Sequence, residues 1–149
     1  MVIYGPHVFF NQTIYSKMSI QIVQLGTPRS SDEGVRIGTV RRPPRGVPKS
    51  EFSKQNWYDV YFPNLAPSAV LMKQGKAADS PDKWRSFSRK YRQEMAAPSA
   101  QHDLKLLAAL SHTTHFSVGC YCKDKSCCHR TLLEQLLLAA GADVVREEN

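Results

Sequence analysis

Between Cys120 and Arg130 the chain reads CYCKDKSCCHR, which places all four of its cysteines beside a histidine and an arginine. Thiols, imidazole and guanidinium at this density allow three kinds of chemistry. In the first, Cys128, His129 and Arg130 form a catalytic unit. The Cys128 thiolate sits at a helix N-terminus, where the dipole and Arg130 lower its pKa, and Arg130 grips a phosphate in bidentate fashion. Phosphotyrosine-type hydrolysis does not fit, because the position before Arg130 where that loop needs its cysteine holds Asp124. Inert packing is the competing fate of a buried thiol. In the second, Cys120, Cys122, Cys127, Cys128 and His129 offer more than enough ligands for tetrahedral zinc. Alternate strand positions share a face, but adjacent Cys127 and Cys128 converge poorly. No metal ligand is therefore assigned, and the cofactor is left unnamed. The third reading asks least: Arg41, Arg45 and Arg130 gather at neighbouring strand ends and bind the phosphate of a nucleotide or nucleic acid, with or without cysteine-dependent chemistry. It is the reading taken. A structural zinc-binding or protein-interaction domain is the alternative.

These residues need a strand, a loop and a helix to position them. Phe116, Val118, Cys120 and Tyr121 read as a buried strand, and Leu132, Leu133, Leu136, Leu137 and Leu138 mark one face of a helix. A strand that leaves through a polar loop into a helix presents free N–H groups at the helix start, an anion site in outline. Upstream, Ser19 to Leu25 and Val35 to Val40 are two further strands, the second running into Arg41-Arg42-Pro43-Pro44-Arg45-Gly46. In open α/β sheets ligands collect at such ends. Ser50 can cap a short helix to about Trp57, and Ser68 another ended by Gly75. Ser80 and Pro81 open a longer one that Pro98 stops, and Ser99 caps the next, to about Ser111. Gly141 closes the last helix, and Ala142 to Val145 is a short final strand. On the helix from Ser80, Trp84, Phe87, Tyr91 and Met95 form the core face. Lys83, Arg85, Arg89, Lys90 and Arg92 form a basic one, which is either solvated or placed on a phosphate backbone. The order of elements implies one compact α/β domain, residues 18–149, with a mostly parallel sheet covered by helices.

The chain has 149 residues, enough for one core, and its net charge of +7 favours phosphate-bearing partners, small molecules or nucleic acid. A solvated basic surface is the plain alternative. Clustered cysteines are not a disulfide framework, which points to a reducing, cytoplasmic setting. No run approaches the roughly 20 apolar residues of a membrane span. Met1 to Lys17 lacks a signal-peptide pattern and reads as an extension or disordered arm, with Met18 an alternative start.

Several motifs taken together resemble the bacterial family called domain of unknown function 488. They are Pro44-Arg45-Gly46-Val47-Pro48-Lys49, Leu65-Ala66-Pro67-Ser68, and Pro81-Asp82-Lys83-Trp84 with Phe87 and Tyr91. Cys120 ahead of Cys128-His129-Arg130 completes the set. The resemblance runs from about Ser19 to Val145. It implies a compact cytoplasmic α/β fold and no established reaction, and it transfers six positions: Arg41, Arg45, Cys120, Cys128, His129 and Arg130. Where many relatives have an acidic residue before the first arginine and a tryptophan before Pro-Arg-Gly, this chain has Val40 and Pro43.

Overall fold

The computed structural model describes residues 18–124 and 128–145. The reading of Met1 to Lys17 as an arm, and Cys127, lie outside the described residues. Four strands form one parallel sheet: β1 (Ile20–Gln24), β2 (Val35–Gly38), β3 (Val60–Tyr61) and β4 (Phe116–Cys120), in the order β1-β4-β2-β3. Four helices accompany it: α1 (Ala69–Lys76), α2 (Pro81–Met95), α3 (Pro98–Leu110) and α4 (His129–Ala139). The expected α/β architecture is what the chain adopts.

β4 is buried along its whole length, as its apolar run requires, because it lies between β1 and β2. Ile20 pairs with Phe116 on one side, and Val35 pairs with Phe116 on the other. Gly119 tolerates no side chain there: a Cβ would stand 2.5 Å from the Val23 carbonyl oxygen. A core of Ile20, Leu65, Tyr91, Leu104, Val118, Leu133 and Leu137 joins the sheet to the helices. Because every pairing is parallel, all strands end on one edge. There Leu25, Val40, Tyr58, Cys120 and Cys128 form a second, smaller cluster.

Several boundaries differ from the sequence reading. α3 starts one residue before Ser99, since Pro98 takes the first helical position, where its fixed φ fits and its missing N–H costs nothing. The Ser50–Trp57 helix is only a 3-10 turn at Lys49–Glu51 followed by turns, ended where Asn56 takes φ 63°. The final strand reduces to a bridge between Ile20 and Val144. By contrast, the Ser68 and Ser80 hydroxyls accept from Leu71 N–H and Lys83 N–H as caps.

Asp59, just before β3, ties three loops. Its carboxylate accepts from both terminal nitrogens of Arg29 (2.7 and 2.9 Å), from Arg36 N–H (2.8 Å) and from Ser53 Oγ (2.5 Å). Burial opposes the charged form, but the Arg29, Arg36 and Ser53 bonds outweigh it and hold the carboxyl at about 2. A depressed folded-state pKa stabilises above the unfolded value, near 3.9, and that stability disappears as pH falls toward 2. Replacing Asp59 with asparagine should therefore lower stability at pH 6 by on the order of 1 kcal/mol after solvent screening, and by almost nothing near pH 2. Urea midpoints measured across that range check this.

Candidate thiol and anion site

Cys120 ends β4, Cys128 caps α4 and His129 is the first residue of α4, so the parallel sheet's carboxyl edge brings them together. Their ligand atoms all lie within 4.8 Å of one another, and all three residues are buried. The Cys120 and Cys128 sulfurs are 2.8 Å apart. Cys122 is exposed, and its carbonyl is held by Arg130 beside them. Adjacent Cys128 and His129 converge because the cap residue is extended (φ −132°, ψ 144°) while the next residue is helical.

The His129 ring is fixed from two sides. Its Nε2 is 2.9 Å from the Thr39 carbonyl oxygen, which can only accept, so Nε2 donates and the Nδ1 lone pair is left available. Tyr91 packs edge-on, with ring centroids 5.7 Å apart, while its hydroxyl donates to the Leu65 carbonyl at 2.7 Å. Burial lowers the His129 pKa and favours the neutral ring.

Arg130, 2% exposed, donates through Nη2 to the Cys122 carbonyl at 2.7 Å, pinning the loop to the helix. Among the described residues its Nε has no hydrogen-bond partner, and neither does the buried hydroxyl of Tyr58, which belongs to the same edge cluster as Cys120 and Cys128. Both groups can donate. Leaving such groups unmatched costs about 1–3 kcal/mol each, more for a charged one, and a ligand oxygen removes that cost. Arg130 N–H also points at the Cys128 sulfur, at 3.4 Å.

Cys128 is raised where the sequence reading expected it lowered. Hydrogen bonding to Cys122 and Cys128, then burial, raises Cys120. The Cys120 contact lowers Cys128, but donation to Cys122 and burial outweigh it and raise Cys128 overall. Cys122 is lowered, because it accepts from both thiols and faces His129 and Arg130. The N-cap position of Cys128 does not make it the acidic thiol, since the helix contributes one long N–H contact while the neighbouring sulfurs press harder.

Arg41 donates through Nε to the Pro67 carbonyl (2.9 Å) and through Nη2 to those of Pro63 (3.3 Å) and Ala66 (2.9 Å), holding the segment that leads into α1. Arg45 is exposed beside Gly46, whose φ is 70°. Among the described residues, no hydrogen bond joins either to Arg130. Sequence reasoning missed Thr39 and Tyr58 as parts of this region, and no local spacing signals either. A buried Glu33–Arg36 pair was also missed, although its i,i+3 spacing is readable.

The family model described as the active DUF488-N3 subclade matches residues 20–141. Neither the curated proteins nor the solved structures give a match.

Proposed function

The chain belongs to the DUF488 family, and from the geometry of its site we propose that it binds a phosphate-bearing ligand at the N-terminus of α4. The carrying observation is Arg130, a buried guanidinium in the first turn of the helix, whose Nε lacks an acceptor among the described residues. Helix N–H groups and a guanidinium fork together match phosphate oxygens in geometry and charge. The Tyr58 hydroxyl, also without a partner among the described residues, adds a donor at the same sheet edge. The description of the subclade as active supports a reaction, and the exposed Cys122, whose carbonyl Arg130 holds, is the thiol we assign to it in the metal-free protein.

A nucleic-acid reading draws on a different surface. Arg85, Arg89 and Arg92 line a shallow groove along α2, with Gln93 and Ala96. Charge-removal variants separate the two. Arg130→Met should weaken binding of inorganic phosphate or a nucleoside monophosphate about 10–100-fold, the equivalent of a charged hydrogen bond of roughly 1.5–3 kcal/mol. Neutralising Arg85, Arg89 and Arg92 should leave that affinity within about twofold. Calorimetric titration reads both, after unfolding curves establish that the variants fold. The reverse pattern, with affinity falling steeply as salt is added, overturns the small-anion site in favour of a phosphate backbone.

A further inference from the structure

We propose that Cys120, Cys128 and His129, completed by Cys122, form a tetrahedral site for one zinc-type divalent cation. The first three are buried and already mutually within 4.8 Å, so loading the site requires little rearrangement of the backbone. A tetrahedral ion at about 2.3 Å from each sulfur sets neighbouring sulfurs about 3.8 Å apart. The Cys120 and Cys128 sulfurs, at 2.8 Å, need only separate by about 1 Å, a small rotation of two side chains. Cys122, exposed on the loop whose carbonyl Arg130 holds, supplies the fourth donor from the solvent side.

The histidine is what distinguishes this set from a chance packing of thiols. Metal-bound imidazoles commonly donate their other ring N–H to a carbonyl or carboxylate, which fixes the tautomer and the ring plane. Here the Thr39 carbonyl holds Nε2–H, leaving Nδ1 as the donor atom. Three sulfurs and one imidazole nitrogen suit zinc and exclude hard, oxygen-seeking ions such as magnesium and calcium. The thiol protons leave on binding, so uptake releases acid.

The test uses the full chain, kept reduced with a phosphine and freed of metal. Zinc titrated against a chromophoric chelator should bind at one equivalent, and cobalt(II) should give tetrahedral d–d bands with sulfur-to-cobalt charge transfer. Cys122→Ser, at an exposed position, should retain the tetrahedral bands and lose about a third of the charge-transfer intensity, one thiolate of three. Cys128→Ser keeps a good N-cap on α4 while removing a central ligand, so the helix start survives. Its affinity should fall by more than the 10–100-fold typical of losing an outer partner of a metal ligand. No stoichiometric binding by the reduced protein, or binding unchanged in Cys128→Ser, overturns the site. Phosphate affinity of the metal-free protein is a separate readout, so failure of the anion site and failure of the metal site are distinguishable.

Discussion

Replacing Glu33 with alanine should destabilise the protein by about 3–5 kcal/mol, because Arg36 would be left as an uncompensated buried charge. Glu33 and Arg36 are 2% and 0% exposed. Arg36 donates through Nε and Nη2 to the two Glu33 carboxylate oxygens (2.9 and 2.8 Å). Its Nη1 reaches the carbonyls of Thr27 and Asn56, both at 2.8 Å. One side chain thus clamps the β1–β2 loop and the Asn56 turn to β2, the strand that leads to Thr39 and so to His129. A loss of that size lowers the melting temperature by roughly 6–20 °C at about 2–4 °C per kcal/mol. Urea unfolding should show a lower midpoint with an unchanged slope. Changing both partners together, Glu33→Leu with Arg36→Met, should recover much of the loss, since an apolar pair needs no charge compensation. A single-variant cost under about 1 kcal/mol would mean that the pair is not the clamp.

The second large effect lies in α4. Leu133 is fully buried in the main core, and Leu133→Ala should cost about 2–5 kcal/mol through lost burial and the cavity left behind. Leu106→Ala on α3, at a position 57% exposed, should stay within about 0.5 kcal/mol. The contrast concerns function as much as stability. α4 carries His129 and Arg130 in its first turn, so its docking fixes where those groups stand relative to Cys120 on β4. Equal costs for the two leucines, measured by denaturant unfolding, would contradict the assigned core face.

Local rules reached some of this directly. Ser68, Ser80 and Pro81 mark helix starts because capping and proline act within one turn, and β4 is recognisable because a strand buried on both faces is mostly apolar, Ser117 being its one polar residue. β3 escaped notice because it is two residues long, Val60 and Tyr61, held to β2 in register rather than by any pattern of its own. The site was legible only in its membership. That Cys120, Cys128 and His129 belong together follows from their place in the sequence. Which thiol is acidic, and that Arg41 holds carbonyls near α1, depends on contacts across the fold. The Thr39 carbonyl on His129 is the plainest case: a backbone group has no sequence signature at all.

The anion site is tested most directly at the arginine Nε–H groups, observed by nitrogen-resolved NMR as inorganic phosphate is added to the reduced, metal-free protein. The predicted result is a saturating, one-site shift of the Arg130 Nε–H signal, accompanied by the amides of His129, Arg130 and Thr131 at the start of α4. An Arg130 signal that stays fixed while those of Arg85, Arg89 and Arg92 drift in proportion to phosphate would contradict it, placing the anion on the basic face of α2.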